Sequence, residues 1–252
     1  MITVKEILDF SETFAPFSSA MDYDNCGLLV GSLDDTVSNV LVSLDVTLDV
    51  IKEALDLKAE LIISHHPVIF SPIKTLHKHN IPYLLAQHNI AAVCLHTNLD
   101  LSPEFGVNYC LAKALELDYI QILDEKIPAM FGVLKEPYTN EAFADYVREK
   151  LKCPGVRFTK SDNLIQTVLV SSGSGGENVH LCGKVGADAF VTGEIKHHQI
   201  LQSMDLGIMV VDTGHFASED VVIEPLCRLL SHQFHGIEFT KSKSLINPVR
   251  YL

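Results

Sequence analysis

Leu61-Ile62-Ile63-Ser64-His65-His66-Pro67 is the stretch from which the rest of the chain can be read. Apolar, strand-favouring residues run straight into two adjacent histidines. Pro67 offers no ladder N–H and restricts His66 before it, so a buried strand has to end there. A strand that delivers two imidazoles at its C-terminal end reads as half of a metal site. Just upstream, 40–45 (Val-Leu-Val-Ser-Leu-Asp) reads as another strand ending in a carboxylate, and 48–58 as a helix with Val50, Ile51, Ala54 and Leu55 inward. This β-α-β order implies a parallel sheet whose strand C-termini share one edge, where ligands bind.

Moving outward, 3–15 is an amphipathic helix, 28–31 a short buried strand closed by Gly31, 83–88 a helix, and 91–95 a strand that ends in His96-Thr97-Asn98-Leu99-Asp100. After a helix at 107–117 the composition turns polar near 123–127. That sets the expected boundary: an N-terminal α/β unit over 1–125 and a C-terminal α/β unit over 126–252, open to interleaving, with 126–186 the more separate part. A strand at 129–134, a helix at 141–151 and a strand near 156–159 follow. The second half then echoes the first. Val168-Leu169-Val170-Ser171 matches Val40-Leu41-Val42-Ser43 at an offset of 128, and 187–192 falls on 59–64 at the same offset. The strand 208–211, ending Asp212-Thr213-Gly214-His215, matches 92–95 at an offset of 116. Either apolar runs in two α/β halves look alike by chance, or two similar units bring their strand ends together around one site. A helix over 217–233, kinked or restarted at Pro225, and an edge strand at 237–241 complete the chain. The expected fold class is α/β: two similar units with mixed, largely parallel sheets and a metal site between strand C-terminal ends.

The 252 residues carry a formal net charge of −13 and no run of Lys or Arg, so nucleic-acid phosphates are repelled. No stretch reaches the roughly 18 apolar residues of a membrane span, and the charged N-terminus is no signal peptide. Six scattered cysteines, the nearest two (Cys94 and Cys110) 16 residues apart, make no CxxC pair; a reducing cytoplasm is the expected setting. Twelve histidines are many for this length, and several sit at strand ends.

Four clusters result: His65/His66, His96/Asp100, Glu194/His197/His198 and Asp212/His215/Glu219. His215 and Glu219, four apart at a helix start, share one face. One structural zinc needs four ligands and would leave this set oversupplied. Several imidazoles with at least two carboxylates suit a pair of borderline divalent ions, with Zn, Mn, Fe and Ni all compatible. Each cluster also has a plain structural reading: a surface turn for His-His-Pro, a strand cap for His96, helix caps for Asp100 and Asp212, and a solvent-facing position for at least one of His197 and His198. His77, His79, His88, His180, His232 and His235 show no partner pattern.

Taken together, Tyr23-Asp24-Asn25-Cys26-Gly27-Leu28, Ser64-His65-His66-Pro67, His96-Thr97-Asn98-Leu99-Asp100, Thr192-Gly193-Glu194 and Asp212-Thr213-Gly214-His215-Phe216-Ala217-Ser218-Glu219 make the chain resemble the Nif-three-like family, commonly labelled GTP cyclohydrolase 1 type 2 homologs. The resemblance spans essentially the whole chain and its short form, without the domain inserted in longer members. It implies a dinuclear metal centre of two divalent ions (Zn, Fe, Mn or Ni) held by His65, His66, Asp100, His215 and Glu219, and a toroidal homohexamer. Cys26 stands where a small apolar residue is usual, with no functional consequence expected.

Two dications make hydrolysis the economical chemistry, with water attacking C8 of GTP and formate leaving. A proton shuttle is then needed: His96 first, Glu194 second. His96 could equally be the group that orients Asp100. Lys184, Lys196 and Arg157 are weak candidates for phosphate contacts. Ser171-Ser172-Gly173-Ser174-Gly175-Gly176 lacks the Lys-Ser/Thr of a phosphate-binding loop, and reads as a turn beside the site or a strand-to-helix connection. The rival readings are a two-metal phosphoester hydrolase and a non-enzymatic metal-binding or interaction protein.

Overall fold

The computed structural model describes residues 2–252. Contacts divide the chain into two units, Met1–Phe105 with Ile223–Ile246 and Gly106–Val222 with Asn247–Leu252.

In the first unit β1 (Ile2–Thr3) leads into α1 (Val4–Phe14), which Thr3 and Glu6 start with a capping box: the Glu6 N–H donates to Thr3 Oγ1 at 3.3 Å and the Thr3 N–H to Glu6 Oε2 at 2.8 Å. Of the apolar stripe expected from the sequence, Val4, Ile7, Leu8 and Phe14, all are buried except the half-buried Leu8. Then come β2 (Gly27–Val30), β3 (Thr36–Val37, paired with β1), β4 (Asn39–Ser43), α2 (Leu48–Asp56), β5 (Leu61–Ser64), α3 (Ile81–Gln87), β6 (Ala91–Cys94) and the single turn α4 (Thr97–Asp100). The second unit contains α5 (Val107–Ala114), β7 (Asp118–Ile122), β8 (Met130–Tyr138), α6 (Asn140–Lys150), β9 (Arg157–Phe158), β10 (Ile165–Ser171), α7 (Cys182–Val185), β11 (Ala189–Thr192), α8 (His197–Asp205), β12 (Met209–Asp212) and α9 (His215–Glu219). The chain then returns to the first unit as α10 (Ile223–Gln233) and β13 (Glu238–Lys241). Pro225 lies in the first turn of α10, the one place in a helix where its missing N–H costs nothing, so the 217–233 helix is restarted rather than continuous.

The first sheet has the order β13-β4-β5-β6-β2, parallel throughout except for β2 against β6. The second, β7-β8-β10-β11-β12-β9, is parallel only at β10–β11 and β11–β12. Both are mixed as expected, and the parallel character is stronger in the first. The unit boundaries differ from a division at 125/126. Parallel pairing of Glu238–Lys241 with Asn39–Val42 ties the C-terminal strand to the first sheet. The stretch 126–186 is not separate, because its β8 and β10 pair with each other and β10 with β11. Strand β7, with four of its five residues exposed, carries too little apolar alternation to be read from sequence.

The echo is a true repeat of backbone geometry. Val40 pairs with Leu61 and Val168 with Ala189, and each register runs on to Ser43/Ser64 and Ser171/Thr192. The Glu60 N–H donates to Asn39 O at 3.1 Å, and the Asp188 N–H to Thr167 O at 2.8 Å. Both carboxylates also accept from the start of the preceding strand. Glu60 Oε2 takes the N–H groups of Ser38 (3.1 Å) and Asn39 (2.9 Å), and Asp188 Oδ2 those of Gln166 (3.1 Å) and Thr167 (2.8 Å). The third strands are related by 118 rather than 116, since Ser64 pairs with Cys94 and Thr192 with Asp212. The two-residue slip is invisible to apolar pattern because both strands are buried at every position.

Cores form on both units. Leu41, Ile62, Ala92, Val50, Ile51, Ala54 and Leu85 pack together in the first, and Val168, Val170, Val191, Val211 and Phe143 in the second. Truncating a residue such as the fully buried Ile62 to Ala costs about 2–5 kcal/mol. Among the described residues no helix is long and apolar enough to cross a membrane.

Candidate metal centre

In the first unit β5 ends where Pro67 requires. The backbone N–H groups of His65 and His66 donate to Ser43 O (3.2 Å) and Leu44 O (2.9 Å), so the end of β4 fixes both histidines. His65 is buried, 1% exposed, and its Nδ1 lies 2.8 Å from the carbonyl of Leu95. A carbonyl only accepts, so Nδ1 carries the proton, and Nε2 is the ring atom turned to other partners. His66 Nδ1 donates in the same way to Asp45 Oδ1 at 2.7 Å, the carboxylate that follows β4. His96 Nδ1 donates to Asp24 Oδ1 at 2.9 Å. One ring nitrogen from each of the three lies within 4.8 Å of the other two. Asp100, in α4, brings Oδ1 to 3.5 Å from His65 Nε2. An imidazole nitrogen beside a carboxylate oxygen is a donor set that divalent metals take.

Asp24 organises this end of the sheet. Its side chain is fully buried and accepts from His96, the Thr97 N–H (3.0 Å), Thr97 Oγ1 (2.5 Å), Cys26 Sγ (3.1 Å) and the Asn25 N–H (2.7 Å). Burial works against its charge, but the bonds from His96, Thr97 and Cys26 outweigh it and hold the carboxyl well below the usual range. Cys26, which stands where a small apolar residue is usual, donates its thiol to Asp24.

In the second unit Gly214, at φ +80°, turns the chain out of β12 so that α9 begins on His215. His215 Nδ1 donates to Glu194 Oε1 at 2.9 Å, Ser174 Oγ donates to Glu194 Oε2 at 2.9 Å, and His215 Nε2 lies 3.0 Å from Glu219 Oε2. The Glu194 carboxyl is pulled by burial toward neutrality and, more strongly, below its usual range by Ser174 and His215. Buried Glu219 rests against the backbone of Gly173 (φ +54°), where an added Cβ would stand 2.0 Å from Glu219 Oε1 and 3.3 Å from His215 Nε2. The Gly173 N–H donates to Ser218 Oγ at 2.9 Å. The serine- and glycine-rich turn is thus a strand-to-helix connection that also shapes the site.

Each unit gathers its own predicted residues: His65, His66, His96 and Asp100 in the first, Glu194, His215 and Glu219 in the second. Asp212 is elsewhere engaged, accepting from Arg157 Nε at 3.1 Å and the Gly214 N–H at 3.1 Å, so Arg157 is a carboxylate partner in this arrangement. His197 and His198 are exposed on α8. Reading the sequence missed Asp45, Asp24 and Ser174 as supports. Asp24 lies in the quoted Tyr23-Asp24-Asn25 motif and Asp45 at a predicted strand end, but their partners are 72 and 21 residues away.

Two α/β units, each with a histidine–carboxylate couple at the C-terminal ends of parallel strands, define a class of protein with clusters that could hold metal ions. Within that class the chain belongs to the Duf34/NIF3 (NGG1p interacting factor 3) family, which matches residues 2–248. A Campylobacter jejuni protein named GTP cyclohydrolase 1 type 2 homolog is 32% identical, with 98% of this chain and 99% of that protein covered. A Clostridium acetobutylicum protein of the same name is 32% identical with 99% of each covered. The crystal structure of a Staphylococcus aureus hypothetical protein, SA1388, has a TM-score of 0.92 at 31% identity, covering 99% of each chain.

Proposed function

We propose that the chain is a metal-dependent hydrolase with a centre of two divalent ions, Zn, Fe, Mn or Ni, whose ligands are His65, His66, Asp100, His215 and Glu219. The observation that carries this reading is the anchoring of the imidazoles. His65, His66 and His215 are each held through Nδ1 by a carbonyl or carboxylate, which supports Nε2 as the atom offered to a metal. Such a pair of ions supplies Lewis acidity and a water nucleophile near neutral pH.

The substrate class is a guanine nucleotide, the chemistry in the name of the 32%-identical relatives. Water adds at C8, the C8–N9 bond breaks, and hydrolysis of the resulting formamide releases formate. His96, whose Nδ1 is held by Asp24, is the group proposed to pass a proton through its other nitrogen. Glu194 has one oxygen on His215 and the other on Ser174, an arrangement that supports positioning His215 rather than proton transfer. A toroidal homohexamer in the cytoplasm is part of the same proposal, and light scattering tests the assembly.

The test is metal analysis of the purified protein coupled to mass-spectrometric detection of formate and ring-opened product from GTP. About two metals per chain with formate release, both lost in His65→Ala and Asp100→Ala, is the expected result. Phosphate release from esters without formate would reassign the substrate class. Two metals without turnover on any substrate would leave a metal-binding protein.

A further inference from the structure

We propose that Tyr23 and Phe70 form a stacking platform for the flat base of the substrate, next to the His65/His66/His96 cluster. The proposal rests on the hydrolase reading for what happens beyond the platform, and stands on its own geometry for binding.

Both rings lie in the first unit and are conspicuously uncovered: Tyr23 is 68% and Phe70 52% exposed. Single exposed apolar residues are ordinary, but these two adjoin each other and the imidazoles. The Tyr23 and Phe70 centroids are 6.4 Å apart at 58°, and Phe70 meets His96 at 6.5 Å and 76°. His96 is in turn 5.1 Å from His65 and 5.5 Å from His66. A row of rings therefore runs from the imidazole cluster to solvent. The Phe70 and His96 planes are steeply inclined rather than stacked, and with about half of its surface exposed the Phe70 ring keeps area that a base would use.

The platform is held in place before any ligand arrives. Asn25 Nδ2 donates to Ile69 O at 2.6 Å, joining the turn of Tyr23 to the loop of Phe70. The Asp24 N–H closes that turn on Met21 O at 2.9 Å, and the Met21 N–H donates to Thr97 Oγ1 at 2.9 Å. Asp24 itself holds His96 and Thr97. One hydrogen-bond network thus ties the two loops that carry the aromatic pair to the segment that carries the imidazole, so less loop ordering remains to be paid on binding. The chemistry selected is a planar heteroaromatic ring such as a purine. Every base has a π-face and gains about 1–3 kcal/mol per stack, whereas a sugar phosphate gains nothing there.

Saturation-transfer NMR on the full chain, with guanosine and ribose 5-phosphate as probes, tests this. The expected result is strong transfer to the guanine H8 and weak transfer to ribose 5-phosphate. Guanosine affinity should fall about tenfold in Phe70→Ala and in Tyr23→Ala, and be retained in Phe70→Tyr, with metal content unchanged in all three. Equal guanosine binding by wild type and both alanine variants, or equal transfer to the two probes, overturns the platform. So does finding that the pair is covered by a second copy of the chain, seen as an oligomer that dissociates in the double alanine variant without change in guanosine binding. Because guanosine carries no phosphate and is read without turnover, failure here leaves the metal content of the chain, and hence the hydrolase reading, separately measurable.

Discussion

Replacing Asp24 with Asn keeps the shape of the side chain and removes its charge, and the surrounding donors set the penalty. Asp24 Oδ2 accepts from the Thr97 N–H, Thr97 Oγ1 and Cys26 Sγ, and Oδ1 from His96 and the Asn25 N–H. An Asn amide can serve the Oδ1 side, but its NH2 then faces the Thr97 N–H, leaving a buried donor unsatisfied at about 1–3 kcal/mol. Loss of charge assistance to His96 adds about 1 kcal/mol. The sum is about 3 kcal/mol. With a urea m-value of about 2 kcal/mol/M, the midpoint of the transition reporting on the first unit should fall by about 1.5 M. The Thr97 hydroxyl is the natural second site. In a double-mutant cycle with Thr97→Val the two changes should couple by at least about 1 kcal/mol, because each removes a partner of the other. An Asp24→Asn protein within about 0.5 kcal/mol of wild type, or strict additivity in the cycle, would refute the claim that this carboxylate organises the histidine end of the sheet.

Three further outcomes follow from the geometry. Glu194→Gln should keep the fold and lower metal affinity about 10–100-fold, since His215 loses the carboxylate that sets its tautomer; titration with a competing chelator measures it. Gly173→Ala should displace Glu219, whose Oε1 would lie 2.0 Å from the new Cβ, and should strain a φ of +54°. Thermal unfolding should show a loss of about 1–3 kcal/mol and metal analysis a lowered content. Glu53→Gln should weaken the tie to 242–244, where Glu53 accepts from Ser242 Oγ (2.6 Å) and the N–H groups of Lys243 (2.9 Å) and Ser244 (3.0 Å). Burial opposes the Glu53 charge but these bonds prevail and lower its pKa. The stability it contributes, about 1 kcal/mol after solvent screening, is therefore full above the ordinary glutamate pKa and lost as pH falls through the lowered value. Wild type and Glu53→Gln should differ in urea midpoint at pH 7 and converge toward pH 3; a difference that does not shrink on acidification would contradict this.

Much of the fold was legible because its signals are local. Apolar runs of four or five residues, stopped by Pro67 or by polar strand ends, gave β4, β5, β6, β10, β11 and β12. The repeat at an offset of 128 showed in side chains as well as in backbone pairing, down to Glu60 and Asp188 on equivalent N–H groups. The third-strand offset was misread by two because buried strands have no alternation to mark register. The unit boundary escaped because β13 is claimed by β4 through pairing some 200 residues distant in sequence, which no local composition shift records.

By itself the amino-acid order determined which residues carry cation-binding chemistry and that several of them follow strand ends, since side-chain chemistry and strand termination are properties of a few neighbouring residues. Only the tertiary structure decided how each imidazole is held: His66 by Asp45, His96 by Asp24, His215 by Glu194. Those partners meet because sheet register and loop closure bring distant segments within 3 Å. A tautomer depends on that last ångström of geometry, so no reading of spacing along the chain can supply it.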